Sequence, residues 1–279
     1  MAIKDQVKAT MPSFVLKIVQ ARKIPSICFG AFSSYAGMSV ALRHAADLEP
    51  ELWKRDFTHR RVLVIGTGPS LDHVNGDYFA NFDVLICINH AILRVPRHPC
   101  VYYLSTDVPR TREVLKTEAA ERIRALAPER RVLFLSFVLA APYLLSDFFK
   151  LFTVVRYRGY ELHKWGEKQL SQRYYQPKVA SDLEIESWIS GGSNIQSMPS
   201  RGGSSAFSAV LLAARYHPAE IRLIGVDLNS GRSTALQKIA GPAAFGGNWA
   251  RDRLQNLERL VKQCGIHIEN DSWILAPKE

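Results

Sequence analysis

The sequence is poor in cysteine, since its 279 residues include only Cys28, Cys87, Cys100 and Cys264. No two of these are spaced as a Cys-x-x-Cys pair, which is the arrangement typical of zinc sites. Four scattered thiols also do not indicate a disulfide framework. The sequence therefore predicts no bound metal, and reduced thiols fit a cytoplasmic protein.

The chain also lacks a recognisable secretory signal, because residues 1–23 contain no clean apolar run followed by small residues at a cleavage site. Residues 24–42 are free of charge and long enough to suggest a membrane-spanning helix. However, Pro25, four serines, two glycines and a tyrosine lower the free energy gained on insertion, so we do not expect a span. Two interpretations stay open: a helix on anionic lipid beside the basic Arg22 and Lys23, and a helical cap on the main domain.

Acidic residues are outnumbered, because 36 lysines and arginines against 26 aspartates and glutamates give a net charge of +10. Such an excess favours an anionic partner, which can be nucleic acid, a membrane surface or a phosphorylated substrate. Since the basic residues form no arginine-rich arm, we expect a phosphate-bearing ligand or lipid headgroups and no nucleic acid. The hydrophobic content of 47% is that of an ordinary globular protein.

Short apolar runs alternate with helical segments after the first 58 residues. Strands are predicted at 62–65, 82–88, 100–104, 131–137, 221–226 and 266–269, and helices from 111 onward and over 206–216 and 251–264. This alternation predicts an α/β fold, a Rossmann-like parallel sheet with helices on both faces. Residues 1–58 are interpreted as a helical N-terminal extension and 59–279 as the Rossmann-like main domain. The aromatic, basic segment 140–190 is interpreted either as a lid-like insertion over the site or as a surface subdomain without ligand contact.

Four polar clusters either follow a predicted strand or begin a predicted helix. They are Gly66-Thr67-Gly68-Pro69-Ser70, Asn89-His90, Ser105-Thr106-Asp107 and Arg201-Gly202-Gly203-Ser204-Ser205. Ligands of parallel sheets bind beyond the carboxyl ends of the strands, so we expect all four at one edge. In the last cluster, glycines permit close approach to an anion and the helix start offers free N–H groups, although the same residues suit an ordinary helix cap. We expect the loops at 66–70 and 201–205 to meet and to hold one phosphate.

The order of these motifs is similar to that in the bacterial sialyltransferases that use CMP-activated sialic acid on lipopolysaccharide. This chain has GTGPSL at 66–71, ICINHA at 86–91 and SSAFSAVLLAARYHPAEIRLIGVD at 204–227. The family has a GNGPSL loop, a strand ending in CNQ, and a TSG-type turn before a helix and a GID strand. The resemblance implies a metal-independent glycosyltransferase associated with membranes and with the synthesis of surface polysaccharides such as lipopolysaccharide or capsule. Archaeal pterin diphosphokinase-like proteins share the GxGPSL loop.

The resemblance also implies roles for particular residues. The donor phosphate is lined by Gly66, Gly68 and Ser70. Asn89 holds the nucleotide, and the turn that contacts cytidine and phosphate falls at Gly203 and Ser204. Gly202 and Ser205 flank that turn and are candidate binding residues as well.

Two departures from the family pattern change what is expected of the site. Thr67 stands where the family has an asparagine. The family also places tyrosines and a catalytic histidine after the GID strand, and residues 225–252 of this chain contain neither. Arg232 and Lys238 are then the candidates to stabilise a departing phosphate by charge.

Transfer from a CMP-ulosonic acid breaks a bond between an anomeric carbon and a phosphate, and the acceptor hydroxyl must lose a proton. Asp107 is the first candidate for the base because it closes a predicted strand, and His90 is the second; each also fits a structural role. Asp227 ends a central strand, where it is expected to orient loop N–H groups beside the nucleotide. Arg201 suits bidentate binding of a sugar carboxylate, or is surface charge.

The sequence thus predicts a glycosyltransferase that moves a sialic acid or Kdo-type ulosonic acid from a CMP-activated donor to a glycan or glycolipid acceptor. We expect inversion, no cofactor beyond the donor, and a location in the cytoplasm or on the inner face of the cell membrane. The alternatives are a diphosphokinase-like enzyme and a non-catalytic nucleotide-binding or membrane-surface module. The former needs acidic Mg²⁺ ligands, for which Asp72, Asp107 and Asp227 are too scattered. An NAD enzyme ranks last, because Leu71 replaces the third glycine of the dinucleotide fingerprint.

Overall fold

The first strand shows why the chain builds a sheet with two covered faces. Val62 and Val64 pack into one hydrophobic core, and Leu63 and Ile65 pack into another. All four side chains are fully buried. A strand that is apolar on both sides is typical of a parallel sheet that has helices on each face.

The structure is a computed structural model that describes residues 51–106, 108–134, 151–157, 160–164, 173–191, 197–202, 204–228, 231–240 and 248–275. The strands in these ranges are β1 Arg61–Ile65, β2 Val84–Ile88, β3 Val101–Ser105, β4 Arg131–Phe134, β5 Thr153–Tyr157, β6 Tyr160–Lys164, β7 Arg173–Pro177, β8 Ser197–Met198, β9 Glu220–Ile224 and β10 His267–Asn270. Eight of them form one sheet in the order β10-β9-β1-β2-β3-β4-β5-β8, and every pair in it is parallel. β6 and β7 pair only with each other, antiparallel.

Helices cover both faces of the sheet. Those in the same ranges are α1 Glu51–Phe57, α2 Gly76–Ala80, α3 Val108–Val114, α4 Ala119–Ala125, α5 Asp182–Ile189, α6 Ser205–Ala214, α7 Thr234–Ala240, α8 Asn248–Gln263 and α9 Ser272–Leu275, with short 3-10 helices at Pro69–His73, Asn89–Leu93 and Pro128–Arg130. The core on one face includes residues of α1, α5, α6 and α8, and the core on the other includes residues of α2, α3, α4 and α7. No helix within these ranges is both long and apolar enough to cross a membrane.

Helix α6 is the central helix of its face. Its side chains from Ala206 to Ala214 are all buried, and it packs against β1, β2, β3 and β9. A helix that is apolar all round belongs in a core. Because α6 runs back from the carboxyl edge of the sheet to the start of β9, its N-terminus lies at that edge.

The predicted fold class is confirmed, since the chain forms an α/β domain with a parallel sheet and helices on both faces. The segment predicted as a lid differs in part from that expectation. β5 joins the main sheet, and Trp188 of α5 is fully buried, where its indole N–H donates to the Leu211 carbonyl at 3.1 Å. This tryptophan serves the core. The predicted helical extension is represented by α1, while residues 24–42 lie outside the described residues.

Candidate functional site

The sheet changes its direction of growth at β1. From β1 the chain adds β2, β3, β4 and β5 on one side, and it later places β9 on the other side. Ligands of open α/β sheets bind beyond the carboxyl ends of the strands at such a switch point. Here the loop at 66–70 leaves β1 and faces the loop at 225–228, which leaves β9.

These two loops are in direct contact. The Gly66 N–H donates to the Ile224 carbonyl at 2.7 Å, and the Gly68 N–H donates to the Gly225 carbonyl at 2.7 Å. A Cβ on Gly66 would overlap the Gly225 carbonyl, and one on Gly68 would overlap the Asp227 carboxylate. Loop packing therefore accounts for both glycines, and their contact with a donor phosphate stays a prediction.

Ser70 and Asp227 join the same two loops. The Asp227 carboxylate accepts from the Ser70 N–H at 3.2 Å and from the Ser70 hydroxyl at 2.9 Å, and the Gly225 N–H donates to Ser70 Oγ at 3.0 Å. Asp227 is 3% exposed. Burial raises its pKa, although the hydrogen bonds from Ser70 act in the opposite direction. Asp227 thus orients a loop N–H, as expected from its place at the end of a strand.

A strip of uncharged polar groups follows the next two strands. Asn89, after β2, has a φ of +52°, a left-handed conformation that asparagine tolerates better than most residues. Its Oδ1 accepts from the Ser105 hydroxyl at 2.8 Å. The Thr106 hydroxyl, after β3, hydrogen-bonds to the Ser205 hydroxyl at 2.7 Å. The structure therefore brings together three of the four predicted clusters, and we call Asn89, Ser105, Thr106 and Ser205 the polar strip.

The start of α6 is capped by Ser204, whose carbonyl accepts from the Phe207 N–H at 3.1 Å. The Ser204 hydroxyl also accepts from the Ala206 N–H at 3.2 Å. Gly202 has a φ of +76°, which favours glycine, and Gly203 lies outside the described residues. Ser205 lies next to the end of β3, and the loop at 66–70 follows β1. Because β2 lies between these two strands, the start of α6 and the loop at 66–70 are about two strand spacings, or roughly 10 Å, apart.

Arg232 also lies at this edge. The adjacent Ser233 N–H donates to the Thr67 carbonyl at 2.8 Å, which fastens this segment to the loop after β1. Arg232 is 7% exposed, and its Nε finds no hydrogen-bond partner in the described part of the chain. No acidic side chain there forms an ion pair with it; Glu113, whose charge acts on Arg232, is instead bonded to Arg110 at 2.7 Å. Burial lowers the pKa of Arg232, and the charge of Arg110 lowers it further.

His90 lies within electrostatic reach of Arg232. It is 1% exposed, and its Nδ1 finds no partner in the described part of the chain. Burial, followed by the charges of Arg232 and Arg110, lowers the pKa of His90 to about 4. The imidazole is therefore neutral at pH 7, and one ring nitrogen can accept a hydrogen bond or a proton.

Two other predicted residues stand apart from this arrangement. The Arg201 guanidinium donates to the Ala180 carbonyl at 2.9 Å and to Asp182 at 2.8 Å, and it also bonds Asn256. A sugar carboxylate would have to displace these contacts, so the structure gives Arg201 a role between α5 and α8. Asp107 lies outside the described residues, although the neighbouring Thr106 belongs to the polar strip.

Sequence reasoning missed Arg110, which contributes positive charge to the surroundings of both His90 and Arg232. Its place in the first turn of α3, immediately after β3, is a signal that could have found it. A basic residue in the first turn after a strand end lies near the carboxyl edge of a parallel sheet.

Two solved structures are similar to the computed one. The sequence itself matches no protein-family model and no curated protein. One similar structure is the MAf glycosyltransferase from Magnetospirillum magneticum AMB-1, with a TM-score of 0.40, 18% identity, and coverage of 81% of this chain and 34% of that protein. The other is a mammalian sialyltransferase in complex with Gal-beta-1-3GalNAc-ortho-nitrophenol, with a TM-score of 0.37, 14% identity, and coverage of 80% of this chain and 73% of that protein.

Both similar structures are glycosyltransferases. This chain spans about a third of the length of the first of them. What the site can bind follows from its own residues. The polar strip offers uncharged hydrogen-bonding groups, the start of α6 offers the positive end of a helix dipole, and Arg232 offers a buried positive charge.

Proposed function

We propose that the chain is a glycosyltransferase that moves a ulosonic acid of the sialic acid or Kdo type from a CMP-activated donor to a glycan or glycolipid acceptor. The observation that carries this proposal is Arg232, which is buried beside the polar strip and has no carboxylate partner among the described residues. A buried guanidinium is costly unless an anion compensates it, and the described residues supply no ion pair. Such a cost is understandable at a site that an anionic ligand completes.

The neutral part of the site suits the nucleoside. Asn89 uses its oxygen to accept from Ser105, which leaves its amide NH₂ as a donor toward a base or ribose. The start of α6 supplies the positive end of a helix dipole, which favours a phosphate. The sequence resemblance assigns the cytidine nucleotide to these same positions, which supports the choice of CMP.

The proposed reaction has balanced bond changes. The bond between the anomeric carbon and the phosphate oxygen breaks, and its electron pair moves to the phosphate, where Arg232 stabilises the charge that develops. The acceptor oxygen bonds to the opposite side of the anomeric carbon, which inverts the configuration. Its proton passes to a base, for which Asp107 is the first candidate and His90 the second. A His90 pKa of about 4 makes the imidazole available but weakly basic.

The net charge of +10 supports an acceptor on an anionic surface. Basic proteins concentrate at membranes rich in anionic lipid. We therefore propose that the chain acts at the inner face of the cell membrane, on a glycolipid or a surface polysaccharide such as lipopolysaccharide or capsule.

Calorimetry with CMP, ADP and NAD, each with and without Mg²⁺, tests the proposal. We expect CMP to bind without Mg²⁺ and the other two nucleotides not to bind. ADP binding that requires Mg²⁺ would instead support the diphosphokinase-like alternative. Release of CMP from CMP-sialic acid or CMP-Kdo then identifies the donor. CMP binding without turnover of either donor would support a non-catalytic module.

A further inference from the structure

A second concave surface lies on the β10 side of the contact between Gly68 and Asp227. It is a groove of about 480 Å³, a volume within the range of small-ligand sites. The groove runs between the segment that follows β1 and the segment that follows β10. Its lining includes Asp72, His73, Asn75, Tyr78, Asp271 and Ile274.

This groove adjoins the proposed donor site. Asp72 accepts from the Ser233 hydroxyl at 2.6 Å and from the Thr234 N–H at 2.6 Å, and these two residues directly follow Arg232. His73 lies within electrostatic reach of Asp227. A molecule in the groove therefore approaches the carboxyl edge from the side opposite the polar strip.

The carboxylates in the groove are already compensated by charge. Arg94 lies 4.0 Å from Asp72, and Arg222 forms an ion pair with Asp271 at 2.9 Å. No lysine or arginine is itself among the residues that line the groove. Ionised carboxylates can only accept hydrogen bonds. An occupant of this groove therefore gains from hydroxyl donors and needs no charge of its own.

One wall of the groove is apolar. Ile274 is 63% exposed and contributes an aliphatic side chain to this wall. Tyr78 is half-buried beside it, and its hydroxyl is bonded to Asp271. A concave surface that combines apolar walls with a few fixed polar groups is typical of a small-molecule site. Saccharides match this pattern because they present hydroxyl groups around C–H faces.

From these contacts we infer that the groove binds the acceptor, and that the acceptor end is a neutral saccharide. This inference rests on the proposed function, which supplies the donor on the opposite side of the edge. It adds the site and the chemical class of the second substrate. The reaction then joins a hydroxyl of the saccharide in the groove to the donor sugar, whose phosphate lies at Arg232.

Saturation-transfer NMR on the full chain tests the inference, with galactose, glucose, lactose and maltose as neutral probes. Glucosamine and glucuronate serve as cationic and anionic probes. We expect at least one neutral saccharide to bind better than either charged probe. Ile274→Arg should weaken this binding at least tenfold by placing a long charged side chain on the apolar wall. Asn75→Asp should weaken it by replacing amide donors with a charge, while an aspartate can still cap α2.

Leu183→Arg is the matched control, because Leu183 is 76% exposed and lies on α5, far along the chain from the groove. Circular dichroism and melting curves should show that all three variants fold. Glucuronate binding as tight as the neutral probes, or saccharide binding that Ile274→Arg leaves unchanged, would overturn the inference. If CMP binds but no saccharide does, the groove inference fails and the proposed function stands. If a saccharide binds and CMP does not, the proposed function fails and the groove stands as a saccharide site.

Discussion

Replacing Arg232 by methionine should make the ligand-free protein more stable and should also make it a poorer binder of CMP. The change keeps a long side chain but removes a charge that is 7% exposed and has no ion-pair partner in the described residues. Replacing a buried charge by a packed apolar side chain is neutral or stabilising by about 1–4 kcal/mol. For a domain of this size, each kcal/mol corresponds to a shift of the melting temperature of about 2–4 °C.

Ligand binding should stabilise the wild-type protein more than the variant. At a CMP concentration of 100 times Kd, the wild-type protein gains about 2.7 kcal/mol. A hydrogen bond to a charged group contributes about 1.5–3 kcal/mol, so loss of Arg232 should weaken CMP binding roughly 10-fold to 100-fold. At the same concentration the variant then gains only about 0.4–1.4 kcal/mol. Cytidine, which has no phosphate, should stabilise both proteins equally.

Thermal unfolding with and without CMP or cytidine measures all of these quantities. Arg124→Met is the control, because Arg124 is exposed on α4 and its loss should change neither melting temperature nor CMP response. The reasoning is refuted if Arg232→Met is destabilising and CMP still stabilises it as much as the wild type. In that case Arg232 has a structural partner and no contact with the phosphate.

Three further changes test other parts of the structure. Gly68→Ala should cost about 2–4 kcal/mol in urea unfolding, because the new Cβ overlaps the Asp227 carboxylate; a neutral result would show that the two loops can separate. Burial raises the pKa of Glu258 from 4.5 to about 7. The protonated carboxyl is therefore fully compatible with the folded state below pH 4.5, and this part of the folding free energy is lost as the pH rises through 7. After a discount for partial exposure, Glu258→Gln should gain about 1–2 kcal/mol at pH 8 and little at pH 4, whereas the exposed Glu121→Gln should change stability equally little at both; equal effects of Glu258→Gln at the two pH values would contradict the raised pKa. Asp107→Asn should slow transfer about 100-fold or more, and intact transfer would exclude Asp107 as the base.

Local patterns predicted the sheet because they coincide with burial. The run from Val62 to Ile65 is apolar at every position, and the glycines after it end the strand. The largely apolar sequence of α6 likewise required a core position. The carboxyl-edge clusters followed from the rule that parallel strands end on the same side. That rule alone was enough to predict that Asn89, Ser105, Thr106 and Ser205 lie at one edge of the sheet.

Long-range partners could not be predicted in this way. Arg201 and Arg232 are both arginines that follow a glycine or precede one near a strand end, and nothing local distinguishes them. The terminal nitrogens of Arg201 bind Asp182 and Asn256, which lie 19 and 55 residues away along the chain. Arg232 meets no such partner in the described ranges. The burial of Trp188, within the segment 140–190, could not be predicted either, because it depends on contact with α6, which comes later in the chain.

The burial of α6 against the central sheet determines which amides a bound ligand protects from hydrogen exchange. This helix packs against four strands of the central sheet, and the side chains from Ala206 to Ala214 are buried. Hydrogen exchange at amides in its middle, such as Val210 and Leu211, should accordingly report whole-domain opening, whereas the capped amides of its first turn can exchange through local fraying. A nucleotide bound at the N-terminus of α6 should therefore slow exchange throughout the strands that α6 contacts, because binding stabilises the whole domain against unfolding.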